Sequence, residues 1–289
     1  MDTSILGKRS SVVRFESSDK LGLIGVLSQN GSGSTCIIFI PGMGSGVFAN
    51  VGLALSGRMS NTAVFLANNR GMGLVSSFSQ RKGHRRSKFL AGTHLERFED
   101  SIFDIKGAVN AVSRLGYKKI ILCGHSTGCQ KATYYLYKTG DRRVKGLILV
   151  APTDDHNLFI KSLGRKVSRI AKECLRLVKS GHGDAAAPGD TGFSAQRLDS
   201  IINPKRIEGR LFNYEGSLKE FGRIKAPILA IFGSKEENST KDVAACLDLL
   251  EKSSTSRSFS KKLIVGADHA FHGKEKALSS AIAAWISRL

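Results

Sequence analysis

Five apolar runs, TCIIFI at 35–40, TAVFLA at 62–67, KKIILC at 118–123, GLILV at 146–150 and PILAIF at 227–232, constrain this chain more than any other feature. A short run without polar alternation suits a strand buried on both faces. The stretches between them carry a helical period instead. Across 95–115, Phe98, Ile102, Ile105, Val109 and Val112 recur every three or four positions, and Gly116 stops the pattern. Further helices are expected at 129–140, near 244–250 and at 274–289, with a strand in KKLIVGADH at 261–269. Strands alternating with helices imply a mostly parallel α/β sheet flanked by helices, because parallel neighbours need a crossover of a dozen or more residues. VVRF near Val12 and LIGVL near Leu23 read as two antiparallel opening strands. The basic, Gly/Ser-rich stretch 72–92 reads as a loop.

The alternation breaks between 155 and 218. Within 158–179, Phe159, Leu163, Val167, Ile170, Ala171, Leu175 and Val178 form an apolar face. Lys161, Arg165, Lys166, Arg169, Lys172, Arg176 and Lys179 occupy the opposite one. GHGDAAAPGD at 181–190 follows as loop. The expected organisation is a core made of 1–154 and 219–289, interrupted by a helical cap at 155–218. Such a cap would lie over the carboxyl edge of the sheet, where open α/β sheets bind ligands.

Composition narrows the class. Hydrophobic residues at 41% and charged residues at 24% exclude disorder throughout. Five cysteines, odd in number and mostly inside apolar runs, suit a reducing compartment rather than a disulfide scaffold. No apolar run approaches the roughly 18 residues of a bilayer span, and the opening MDTSILGKRSS lacks a secretory apolar region. A cytoplasmic protein is expected. Forty-four Lys and Arg against 24 Asp and Glu leave a net charge of +20, which points to anionic partners without bearing on the fold. The basic residues gather at Arg81, Lys82, Arg85, Arg86 and Lys88 and again across 158–179. The second group suggests peripheral association with an anionic membrane. No specific nucleic-acid partner is expected.

The chemistry centres on Gly124-His125-Ser126-Thr127-Gly128, which follows one strand and opens a helix. Glycines at both ends let the backbone turn sharply and lift the serine hydroxyl to the sheet edge, with the next amide aimed at the same point. A serine hydroxyl needs a base. The chain order Ser, acid, His selects His269, with His272 as the lesser choice. The acid that orients the imidazole falls at Glu236, in the turn after PILAIFG. Glu237, Asp154 and Asp155 remain alternatives. The turn 41–44 supplies amide donors for a developing oxyanion: Met43, or Gly44, together with Thr127. The remaining histidines and the cysteines lack zinc-ligand spacing, so no metal or cofactor is expected. His125 reads as a packing or cap contact.

GHSTGCQ at 124–130, its Tyr-containing helix and APTDD at 151–155 resemble a family of α/β-hydrolases from fungi and plants. That family includes fungal esterases that open hydroxamate siderophore esters. TGFSAQRLDSI at 191–201 resembles that family's Thr-x-x-Arg segment. The resemblance implies an eight-stranded α/β-hydrolase sheet with a helical cap, Ser126 as nucleophile, His269 as base and an acid near Glu236. Lys131 and Glu236 depart from it, each standing where those relatives tend to have Asp. The expected activity is hydrolysis of a small carboxylic ester, anionic or lipid-like, through an acyl-enzyme. Thioesterase or acyltransferase chemistry would use the same groups, and a non-catalytic protein binding through its basic cap is the rival.

Overall fold

In the computed structural model, which describes residues 9–289, the apolar runs become the inner strands of one sheet. The stretch 1–8, part of the expectation of no secretory leader, lies outside the described residues. Strands β1 (Ser10–Glu16) and β2 (Gly22–Ser28) open the chain as an antiparallel pair. Then come β3 (Thr35–Ile40), helix α1 (Asn50–Arg58) and β4 (Thr62–Ala67), which pairs antiparallel with β2 and parallel with β3. Helix α2 (Ser101–Arg114), β7 (Lys119–His125), α3 (Thr127–Thr139) and β8 (Val144–Val150) continue the parallel series. It closes with β9 (Ile228–Gly233), α8 (Val243–Ser253), β10 (Phe259–Ile264) and α9 (Glu275–Ile286). The eight strands lie in the order β1-β2-β4-β3-β7-β8-β9-β10. Every residue of β4 and β9 is buried, as is all of β3 after Thr35, so helices cover both faces of the sheet. Among the described residues no helix is long and apolar enough to cross a membrane.

Four local expectations need correction. The stretch 72–92 is not a loop. It holds an antiparallel hairpin, β5 (Ser76–Lys82) and β6 (Arg85–Ala91), turned at Gly83, whose φ is 59°. Serines and cations hide its period. Only the opposed Phe78 and Phe89 give it an apolar pair, and its tip carries the first basic cluster. The amphipathic segment 158–179 is two helices, α4 (Asp155–Leu163) and α5 (Val167–Lys179), because Gly164 leaves helical space with φ 52° and ψ −133°. The helix expected from 95 begins only at Ser101, after a single 3-10 turn at Phe98–Asp100, and β10 starts two residues before KKLIVGADH.

Between β8 and β9 lie α4, α5, α6 (Ala195–Ile202) and α7 (Glu208–Leu211). Ile170 and Cys174 of α5 pack with Leu198 and Ile201 of α6 in a small apolar cluster of their own. Buried charge ties these helices to the sheet. Lys131 of α3 is 1% exposed and donates to Glu96 at 2.5 Å, which is itself fully buried. Arg197 of α6 lies 3.6 Å from the other Glu96 oxygen and donates to Glu208 of α7. Burial alone would raise the Glu96 pKa, but Lys131 and Arg197 outweigh it and hold the carboxyl below its ordinary value. A cation at 131 is therefore balanced where a carboxylate would face Glu96. Lys131→Met, which leaves Glu96 only the more distant Arg197, is expected to lower stability by about 3–5 kcal/mol. Lys131→Met combined with Glu96→Gln should recover most of that loss in chemical denaturation.

Candidate active site

The turn from β7 into α3 is built around Ser126, whose φ of 55° and ψ of −131° place a non-glycine residue in strained backbone. Close packing forces the geometry. A Cβ on Gly124 would lie 2.4 Å from the Gly128 carbonyl oxygen, and one on Gly128 would lie 2.1 Å from the Ile40 carbonyl oxygen. Helix and strands can approach only because both positions lack a side chain. The turn after β3 passes over the same point, since a Cβ on Gly42 would lie 3.0 Å from the Ser126 Cβ. The Met43 amide has no acceptor among the described residues, and Thr127, first in α3, has no intrahelical acceptor for its amide. Both residues line the cavity beside Ser126.

Glu236 and His269 come from the loops after β9 and β10. Two hydrogen bonds lace these loops together, Lys235 N to Ala267 O at 2.8 Å and Gly266 N to Ser234 Oγ at 2.8 Å. His269 Nδ1 lies 2.8 Å from Glu236 Oε1, and the Glu236 side chain is fully buried. Glu237 takes a different role, accepting the His269 main-chain N–H at 3.0 Å. Asp154 caps α4 and accepts from the Tyr214 amide. Asp155 accepts from Thr127 Oγ1 and Thr153 Oγ1, each at 2.9 Å. His272 bonds Asp268 at 2.8 Å on the surface. Of the sequence candidates, Glu236 is thus the acid joined to the His269 ring. Ser126 and His269 share no hydrogen bond.

His125 bridges the two halves of the site, which its sequence context did not signal. Its Nε2 donates to the His269 carbonyl at 2.9 Å, and the two rings lie tilted at 40° with centroids 4.7 Å apart. Burial, reinforced by the neighbouring imidazole, lowers its pKa to about 4. Beside Ser126 opens a cavity of about 340 Å³. Met43, Leu158 and Phe159 supply its apolar wall, and Thr153, Asp155, Ser162 and Asn238 its polar one. Burial raises the Asp155 carboxyl above its usual range despite its two threonine donors. Among the described residues no group of three or more His, Cys, Asp or Glu is arranged to hold a metal.

The profile of a protein family of unknown function, DUF1749, matches residues 95–287, well over half of the chain. The chain belongs to this family. No curated protein matches it. Among solved structures, this DUF1749 protein is similar to a soluble variant of monoglyceride lipase from Saccharomyces cerevisiae in complex with a substrate analog. The two are 15% identical, with a TM-score of 0.65 over 95% of this chain and 94% of that one. Est1E from Butyrivibrio proteoclasticus, with ferulic acid bound, gives 13% identity and 0.61 over 96% and 98%. Carboxylesterase CesB from Bacillus subtilis gives 13% and 0.54 over 98% and 92%. These likenesses establish an α/β-hydrolase fold.

His125 generates a pH signature. Its folded pKa near 4 lies below the ordinary 6.5, so folding favours the neutral ring. The contribution is complete above pH 6.5 and is lost as pH falls towards 4, amounting to up to about 3 kcal/mol. His125→Gln, which keeps an N–H donor but does not titrate, should lose less stability than the wild type across that window. The pH dependence of the unfolding midpoint measures the difference.

Proposed function

We propose that this DUF1749 protein is a serine hydrolase of carboxylic esters working through an acyl-enzyme on Ser126. The observation that carries the reading is the 2.8 Å bond from His269 Nδ1 to the fully buried Glu236 side chain, on loops held against the residue preceding Ser126. That bond fixes the ring so that Nε2 is the basic nitrogen. In the proposed reaction, Ser126 Oγ attacks the ester carbonyl carbon while His269 Nε2 takes its proton. The Met43 and Thr127 amides hold the oxyanion, a term worth roughly 3–4 kcal/mol per donor. His269 then protonates the leaving alcohol. Water, deprotonated by the same nitrogen, attacks the acyl-serine and releases the acid. Catalytic hydrogen bonds are often long before substrate binds, so the open Ser126–His269 pair is compatible with this order.

The cavity suits a small ester whose apolar part lies against Met43, Leu158 and Phe159. Asp155 in its wall disfavours an anionic group there. The likeness of 124–130 and 151–155 to the fungal and plant hydrolases adds the carboxylic ester bonds of hydroxamate siderophores to the substrates worth assaying. The rival reading, a non-catalytic protein seated on an anionic membrane through 158–179, loses much of its support because Phe159, Ile160, Leu163 and Ile170 pack inside the cap. Only the basic side faces outward. Thioesterase or acyltransferase chemistry would use the same residues and is separated by competing ester, thioester and alcohol substrates.

A fluorophosphonate is expected to label Ser126, identified by peptide mapping. Ser126→Ala should abolish labelling and lower kcat for an activated ester by about 10³–10⁶-fold. Glu236→Gln should lower it by roughly 10³–10⁴-fold with little change in KM. Labelling of the wild type at another residue, or none, would overturn the proposal.

A further inference from the structure

The opposite edge of the sheet carries a second cavity that the proposed chemistry does not use. It opens at the amino ends of β7, β8 and β9 and measures about 820 Å³, more than twice the space beside Ser126. Leu136, Val144, Ile224, Ala226 and Pro227 form an apolar floor. Four separate turns supply the rim. Lys118 and Lys119 come from the turn into β7 and its first residue, and Arg142 and Lys145 from the turn into β8 and its first residues. Arg223 and Lys225 precede β9, and Arg257 precedes β10.

Seven cations thus converge on one concavity, and among the described residues none of them is paired with a carboxylate. Asp141 is the one acidic side chain on the wall. It is already engaged by Arg143 through both oxygens and by Tyr135. Burial would raise its pKa, yet these donors hold it down at about 2. Two of the seven have only neutral partners, Lys145 on the Arg142 carbonyl and Lys225 on Thr255 Oγ1, each at 2.8 Å. Arg223 lies over the Tyr137 ring, 5.8 Å from its centroid. Carbonyl-rich helix ends, that of α3 among them, lie near this edge and favour nearby cations. Each helix end carries only about half a charge, so most of the positive charge stays uncompensated. Like charges gathered around one concavity repel one another and focus a field that draws anions in.

The geometry points to a binding site for a small organic polyphosphate, a molecule with two or more linked phosphates and an apolar or planar body such as a nucleoside triphosphate. The converging cations meet the phosphates from several directions, and the floor from Leu136 to Pro227 takes the body. A concave hollow of this size fits a discrete molecule better than a flat bilayer or a long nucleic acid. The site is independent of the Ser126 chemistry.

Titration calorimetry with ATP and with inorganic tripolyphosphate tests it on the whole chain. Both are expected to bind with one-to-one stoichiometry, ATP the more tightly, and both more weakly as salt rises. Arg142→Glu combined with Arg223→Glu, two exposed side chains, should weaken ATP binding by about tenfold or more. Arg85→Glu combined with Arg86→Glu, at the hairpin tip, changes net charge equally and should leave it nearly intact. Equal loss in the two double variants would mean diffuse attraction to a basic protein and would overturn the proposal. So would absence of binding by either anion, or binding only to anionic vesicles or RNA. Ser126→Ala should bind ATP like the wild type, so failure of the esterase reading and failure of this one are distinguishable.

Discussion

The left-handed backbone at Ser126 is the constraint on which the rest of the site depends. A non-glycine residue held there costs on the order of 1–3 kcal/mol, and it persists only because its surroundings leave no alternative. Gly124 and Gly128 let α3 approach β7 and β3 so closely that either Cβ would overlap main-chain atoms. That approach sets where α3 begins. It therefore also sets where the Thr127 amide points and which side chains of the helix meet the rest of the molecule.

Thr127 and Lys131 are four residues apart and so share one face of α3. Thr127 Oγ1 donates to Asp155 at the start of α4, and Lys131 Nζ to Glu96 beside α6. Gln130, between them, reaches the Thr153 carbonyl. A single helical face thus joins the elbow to the helices inserted after β8. Buried ion pairs offset a large desolvation cost and are a weak source of net stability. Their effect here is positional: Arg197 and Lys131 both converge on Glu96, which fixes how α6 sits relative to α3.

The sheet was legible because its inner strands are buried on both faces, and residues such as Ile37, Phe65, Ile121 and Phe232 leave no competing period. The elbow was legible for a related reason: its glycines and serine follow one such strand immediately. The β5–β6 hairpin was hidden because its strands are largely exposed, so composition was set by solubility and only Phe78 and Phe89 betray the pairing. Gly164 was overlooked as a break because apolar spacing continues through it, although its backbone cannot. The partner of His269 was legible only to within four acids, Glu236, Glu237, Asp154 and Asp155. Side-chain direction alone separates the ring contact of Glu236 from the main-chain contact of Glu237, and Asp154 and Asp155 are engaged by Tyr214 and by Thr127 and Thr153. Sequence spacing could not pair Lys131 with Glu96, since their contact crosses 35 positions and depends on the packing of α3.

The net charge of +20 bears differently on the two ends of the sheet. Among the described residues the buried cations are Arg70, Lys131 and Arg197, against six buried acids: Glu96, Asp104, Asp154, Asp155, Glu208 and Asp199. By formal charge the interior is therefore negative, and among the described residues the positive excess lies outside it. Around Ser126 each ionisable group has a hydrogen-bonding partner, as a reaction that develops charge in a confined space requires. Loss of surface cations would leave that arrangement intact. The cations at the hairpin tip, on the outer side of α5 and around the amino ends of the strands answer to solubility and to anionic ligands instead, so the charge of this protein and its proposed ester chemistry are separable properties of one fold.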